Sequence, residues 1–478
     1  MPEIAPENAI LTAWKKTLSG RGTAAAILDP RGATLRTFVE IELEAMKIAR
    51  MCDRIPAGSV VAVQLGNSER WPEVLLALWR RRLVPLPLAD DVSATEMAMT
   101  LGTIRAAALV TNVGGPMVVH RRPVPPDAHL WAGPTPDFLK LTSGTTGAPR
   151  AIRFRAEQLV ADCAQICAAM GITEQDVNFG VIPFSHSYGF SNLLTPLLTR
   201  GVRLVAGRDR MPRAVLAGLA ATGATVFPGT PVFFQKLAEL EQLPELPALR
   251  LCISAGAPLP KQAAGMFTAK FGRKVHVFYG ASECGGISYD ATEERHYEDG
   301  FAGTPLPGVE IAQEGDEAGP IAVRSAAVGD GYFPAADEAV LGGGRFVPGD
   351  LVRRTKRGLY LVGRTSDVIN VAGRKLNPPE VESRIEECPG VIQAVVFGVP
   401  SALRGEEPVA CVTGVGIDAA DVLRFCQRTL SPWQVPRDVW LVDEIPATER
   451  GKINRRALAA SYLARGAAGG EAIGRLGD

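Results

Sequence analysis

The stretch LTSGTTGAPR, residues 141–150, holds one serine, three threonines and two glycines and ends on a proline and a cation. Glycines let a backbone turn its amides inward on an anion, and the hydroxyls of Ser143, Thr145 and Thr146 add donors suited to phosphate oxygens. The common P-loop spacing, GxxxxGK followed by Ser or Thr, is absent. A Ser/Thr/Gly run by itself is more often an ordinary loop, so its meaning rests on what flanks it.

Upstream, from about residue 24 to 113, helix-like text such as TFVEIELEAMKIARMCDRI alternates with short apolar runs such as VVAVQL (60–65) and AAALVTNV (106–113). Downstream the alternation returns: 155–170 reads as a helix, VNFGVIPF as a strand, TPLLTRGVRLVAG as a helix end plus a strand, and ATVFPGTPVFFQKLAEL as strand, turn and helix. Strand and helix units in this order predict an α/β fold, a doubly wound body around mostly parallel sheets. Between about 303 and 363 the helical period gives way to Gly-, Pro- and Val-rich segments such as GTPLPGVEIAQEGDEAGPIAVRS, which predict a β-rich subdomain. Beyond it, NPPEVESRIEECPGVIQAVVFGVP and DAADVLRFCQRTL predict a compact α+β unit. The expected division is a large N-terminal domain over 1–366, a small mobile C-terminal domain over 367–465, and a flexible Gly/Ala-rich tail over 466–478.

The 478 residues balance 51 Lys and Arg against 51 Asp and Glu, so no net field draws the chain to nucleic acid or an anionic membrane. Eight scattered cysteines form no CxxC pair and predict reduced thiols. The start, MPEIAPENAILTAWKK, lacks a basic opening and an apolar run, and every apolar stretch falls far short of a membrane span. A cytoplasmic protein is expected.

Four further motifs follow the opening loop in order: YGASE (279–283), PGD (348–350), GRTSDVINVAGRK (363–375) and PATERGKINR (446–455). With LTSGTTGAPR they resemble, from about 24 to 458, the adenylate-forming superfamily of acyl-CoA synthetases, peptide-synthetase adenylation domains and luciferases. The resemblance implies ATP, Mg²⁺ and coenzyme A as cofactors and a small carboxylic acid as substrate. Thr142, Ser143, Gly144, Thr145, Thr146 and Gly147 match the loop that embraces the β and γ phosphates. Arg150 stands where lysine is usual, and a guanidinium is a planar fork where an ammonium is a point charge. Gly256, Ala257 and Pro258 of SAGAP match the segment lying against adenine, on which Tyr279 would stack. Gly280 and Ser282 belong to the same motif, with Ser282 in place of a more frequent threonine at the α-phosphate, and Glu283 matches the Mg²⁺ ligand.

Asp350 and Arg364 match the residues that reach the ribose, Arg364 also the phosphate. Lys452 matches the catalytic lysine that meets the α-phosphate and the substrate carboxylate, and Asp367 the hinge about which the small domain turns. That turn would bring the loop around Gly373 to the pantetheine tunnel. Ser366 and Asn370 depart from a common aspartate and lysine near the hinge. In IPFSHSYGF (182–190), Pro183, His186 and Gly189 match a PxxHxxG pattern whose histidine borders the carboxylate and thiol route in acyl and aryl CoA ligases. The stretch carries no carboxylate to pair with an α-ammonium, which argues against an amino acid. Pocket walls are expected from 187–190, 227–230 and Gly285, Gly286 and Ile287. The implied function is an ATP-dependent carboxylate–CoA ligase, with a standalone loader of a phosphopantetheine carrier protein as the alternative.

Overall fold

The computed structural model describes residues 7–112, 116–123, 131, 133–142, 149–313, 317–372, 374–401, 403–446 and 453–468. The chain forms two compact units. The large one comprises Met1–Ala312, Ala322–Pro348 and Lys356–Leu359, the small one Gln313–Ile321, Gly349–Thr355 and Tyr360–Asp478. Their boundary runs through the β-rich stretch.

Local sequence sets the first helices. Phe38–Met51 begins at Thr37, whose side chain accepts from the Glu40 amide while the Glu40 carboxylate reaches back to the Thr37 backbone. Phe38, Ile41, Ala45 and Ile48, at helical spacing, are buried, and each larger apolar side chain contributes about 1.5–3 kcal/mol by leaving water.

The large unit is organised by a nine-stranded sheet. Its middle six strands are parallel and lie in the spatial order Val275–Ala281, Leu251–Ser254, Val226–Gly229, Val177–Gly180, Arg203–Ala206 and Ala25–Leu28. Antiparallel strands finish both edges. The apolar runs expected upstream appear in a second, four-stranded sheet as Val60–Gln64 and Ala108–Thr111. A third sheet joins Phe138–Thr142, Arg150–Phe154 and Gly331–Phe333, so the two strands flanking the opening loop pair with each other, and the second of them also pairs with a segment far along the chain.

Strand order decides where a ligand can sit. From Val177–Gly180 the chain adds Arg203–Ala206 on one side, then crosses to place Val226–Gly229 on the other. Open α/β sheets bind ligands beyond the carboxyl ends of strands at such a reversal. In the core packed with these strands the rings of Phe227, Phe234 and Phe267 make successive contacts at 5.5 and 5.1 Å.

In the small unit a five-stranded sheet carries Val391–Ser401 and Gly405–Gly414 in register. Ala394 and Val396 face one core, and Val395, Phe397 and Val399 face another that includes Leu458 of the final helix. Burial on both faces explains why VIQAVVFGV is nearly all apolar. That helix, Arg455–Ala468, continues three residues into the stretch expected as tail, and 469–478 lie outside the described residues.

Candidate active site

Four adjacent strand ends bring the large unit's motif residues together. Val177–Gly180 leads to His186, Val226–Gly229 to Thr230, Leu251–Ser254 to Gly256, Ala257 and Pro258, and Val275–Ala281 carries Tyr279 and Gly280 and delivers Ser282 and Glu283. Residues separated by some 100 positions in sequence therefore share the carboxyl edge of one sheet.

His186 is half-buried and caps the short helix Ser187–Gly189, its Nδ1 accepting from the Tyr188 amide at 3.3 Å. A ring nitrogen that accepts leaves the proton of a neutral imidazole on Nε2. Next to it the Ser187 hydroxyl donates to Ser282 Oγ at 2.8 Å, tying PxxHxxG to YGASE. Tyr188 is buried and its hydroxyl donates to the Ile253 carbonyl at 3.1 Å. Gly256 has φ +89°, a conformation that a side chain would strain, and its backbone turns directly after the Leu251–Ser254 strand. Tyr279 is buried on its strand, paired in register with Ser288.

Glu283 is the most constrained of the set. Tyr332 Oη donates to its Oε1 at 3.1 Å, and its carbonyl accepts from the Gly329 amide at 2.9 Å. Burial pushes the Glu283 carboxyl up, while its own backbone, the Tyr332 hydroxyl and the charges of Lys140 and Arg150 pull it down. Lys140, 5 % exposed, lies with Nζ 3.4 Å from Ser191 Oγ and 4.6 Å from the Phe154 ring centroid. Burial lowers its affinity for a proton, and Asp162, Cys284 and Glu283 oppose that. Asp162, also buried, accepts from the Gly286 amide at 3.0 Å. Gly285 beside it has φ +69°, and a Cβ there would stand 2.1 Å from Asp162 Oδ1, so only glycine lets the chain turn over this carboxylate.

None of Lys140, Asp162 and Tyr332 stands out in the sequence as a site residue. Tyr332 is 49 residues from Glu283 and Lys140 51 from Ser191, so no local spacing signals them. The one available hint was a lysine inside FLKL, a strand with apolar neighbours.

Two expected residues pair in the small unit: Arg364 Nε donates to Asp350 Oδ1 at 2.9 Å. Asp367 Oδ2 accepts from Arg455 Nη1 at 3.0 Å, and the Ser366 hydroxyl donates to Asp367 Oδ1 at 2.9 Å. Arg455 Nη2 also reaches both oxygens of the part-buried Glu382, at 2.8 and 2.9 Å. Asn370 donates its amide to Glu406 at 2.7 Å. Thr142, at the mouth of the opening loop, places Oγ1 3.5 Å from the Arg150 carbonyl. Ser143, Gly144, Thr145, Thr146, Gly147, Gly373 and Lys452 lie outside the described residues.

Residues 14–333 match the family model described as AMP-binding enzyme, two thirds of the chain, and residues 380–452 match that of the AMP-binding enzyme C-terminal domain. The chain belongs to the AMP-binding enzyme family. A probable CoA ligase, CCL9 of Humulus lupulus, is 29% identical over 85% of this AMP-binding enzyme and 87% of its own length. A 3,4-dihydroxybenzoate–[aryl-carrier protein] ligase of Bacillus anthracis is 28% identical over 68% of this chain and 73% of its own. ATP-bound MatB from Rhodopseudomonas palustris superposes with a TM-score of 0.83 at 24% identity, covering 95% of this chain and 99% of that one. That structure bears out the α/β fold of a large N-terminal and a small C-terminal domain. No helix among the described residues of this AMP-binding enzyme is long and apolar enough to cross a membrane.

Proposed function

We propose that this AMP-binding enzyme is an ATP-dependent carboxylate–CoA ligase. A carboxylate oxygen bonds to the α-phosphorus of ATP as pyrophosphate leaves, and the thiol of CoA then displaces AMP to give the thioester. The observation that supports this best is the convergence of His186, Gly256, Tyr279, Ser282 and Glu283 at the carboxyl ends of strands flanking the reversal in strand order.

Attack of one anion on another asks for alignment and positive charge more than for covalent catalysis. In this reading Tyr279 stacks on adenine beside the backbone of Gly256, Ala257 and Pro258, while Asp350 and Arg364 take the ribose. The loop from Thr142 to Gly147 holds the departing phosphates. Gly280 and Ser282 approach the α-phosphate, and Lys452 brings a cation to it and to the substrate carboxylate. The donor set suits Mg²⁺, because a half-buried carboxylate among hydroxyls is a hard oxygen environment, and this ion needs only one or two protein carboxylates beside phosphate and water. Glu283 would hold it, and when bound it neutralises charge on the phosphate oxygens.

For the second step, Asp367 acts as the hinge that replaces Lys452 with the loop around Gly373, so that one site serves two half-reactions. His186 borders the route of the thiol. The walls at 187–190, 227–230 and 285–287 are mostly small or apolar and carry no carboxylate, which favours an uncharged acyl or aryl group over an α-amino acid. A carrier-protein thiol is the second reading, favoured by the aryl-carrier ligase among the relatives. A reduced, cytoplasmic setting agrees with eight unpaired cysteines.

Mass spectrometry after incubation with ATP, Mg²⁺ and a panel of carboxylic acids, with and without CoA, tests the proposal. AMP with an acyl-CoA mass supports it and names the acid. Acyl-AMP without thioester moves the acceptor to a carrier protein, and ADP sinks adenylation.

A further inference from the structure

Arg150 ends the motif whose loop is expected at phosphate, yet its guanidinium is engaged elsewhere. Its Cζ lies 3.4 Å from the centroid of the Tyr332 ring, and Nη2 lies 3.5 Å from Asp337 Oδ2. Nε is buried and has no hydrogen-bond partner among the described residues, so the group is held by its flat face against the ring more than by its edge. The backbone enforces this contact, because Arg150–Phe154 pairs antiparallel with Gly331–Phe333, setting Tyr332 opposite Ile152. Tyr332 in turn donates its hydroxyl to Glu283 Oε1 at 3.1 Å.

We propose that Tyr332, clamped on its face by Arg150, is a positioning residue that aims the Glu283 carboxylate at the cation accompanying ATP, and that Arg150 serves this clamp in place of binding phosphate. The assignment rests on the adenylation reading of the same site. Three features carry it. A phenol hydroxyl is neutral, so it fixes one carboxylate oxygen without consuming the negative charge a divalent cation needs. A guanidinium over the ring withdraws electron density and makes the O–H a better donor, and only a planar cation can stack this closely. Asp337 balances the arginine charge, so the clamp does not draw Glu283 into an ion pair of its own.

The test measures equilibrium binding of ATP to the full-length enzyme by calorimetry, without acid substrate, once with Mg²⁺ and once with EDTA. The quantity of interest is the gain in affinity that Mg²⁺ confers. Tyr332→Phe deletes one oxygen and keeps the ring; it is expected to cut that gain about five-fold, the worth of one hydrogen bond, and to leave metal-free binding unchanged. Arg150→Lys is expected to act in the same direction, since an ammonium cannot stack, and Arg150→Met provides a second, uncharged form. The double variant Tyr332→Phe/Arg150→Lys should lose no more than the larger single loss, because both act through one carboxylate.

If Arg150→Lys or Arg150→Met weakens metal-free ATP binding and spares the Mg²⁺ gain, the arginine is a phosphate ligand and the proposal is wrong. It is equally overturned if Tyr332→Phe leaves the gain intact or if the two losses multiply. A wild-type enzyme that binds no ATP under either condition overturns the adenylation reading and this assignment with it. The other outcomes arise only in an enzyme that does bind the nucleotide, so the two failures are distinct.

Discussion

Glu283 in the large unit and the motif carboxylates of the small unit are held by different means. In the large unit Glu283 is gripped by a neutral phenol and lies in the field of a buried lysine at no closer than indirect range. In the small unit Asp350, Asp367 and Glu382 each accept directly from an arginine, at 2.9, 3.0 and 2.8 Å. A hydroxyl orients a carboxylate and leaves its charge for a ligand, whereas a guanidinium largely cancels that charge and fixes geometry. The difference leaves the Glu283 charge available to a cation, as the proposed reading requires, and holds Asp350, Asp367 and Glu382 in fixed places.

Removing the prepared carboxylate should cost most. Glu283→Ala is expected to lower acid-dependent ATP–pyrophosphate exchange by about 10³-fold with the circular dichroism unchanged; a loss under ten-fold would erase the contrast between the units. Arg455→Ala should act on folding, since it strands the part-buried Glu382, whose carboxyl burial already pushes up, and a cost of about 2–3 kcal/mol is expected in urea unfolding followed in the small unit. Asp350→Ala should weaken ATP binding by about ten-fold while sparing the melting temperature, because its partner is half exposed. Should it destabilise the small unit instead, the ribose role fails and Asp350 is a structural acid.

Acid should divide the units more gently. All five histidines (His120, His129, His186, His276, His296) lie in the large unit. His276 is buried, with Nδ1 2.8 Å from the Asp290 carbonyl, and burial holds its ring below the usual histidine value. Below pH ~6.5 the unfolded chain gains a proton that the folded chain resists, so stability present above that pH is lost as pH falls toward the depressed value, by at most about 1.4 kcal/mol per pH unit. Hydrogen exchange corrected for intrinsic rates should therefore quicken between pH 7 and 5.5 in Val275–Ala281 more than in Gly405–Gly414, and His276→Gln should remove the difference. The smallest effect on stability, read by urea unfolding, is expected from Arg364→Ala, because its exposed guanidinium contributes about 0–1 kcal/mol to its ion pair.

Much of this was legible in the text. Alternating apolar runs foretold Val60–Gln64 and the strand–helix units of the nine-stranded sheet, because the period of burial is written locally. YGASE and PxxHxxG announced themselves by residue type and order. What held those motifs in place was not legible: Tyr332 meets Glu283, Ser187 meets Ser282 and Asp162 meets the Gly286 amide across 49, 95 and 124 residues. Such pairs exist only once strand order is set, and a tyrosine in GYFP looks like any other aromatic in a strand. Arg150 shows the same limit, since its side chain suited phosphate as well as it suits a ring.

All eight cysteines are buried and unpaired, five in the large unit and three, Cys388, Cys411 and Cys426, in the small one. A thiol reagent added to the native enzyme can therefore react only as fast as the structure opens. Peptide-resolved alkylation turns these residues into two built-in clocks, one for each unit, that time its breathing without any label having to be engineered.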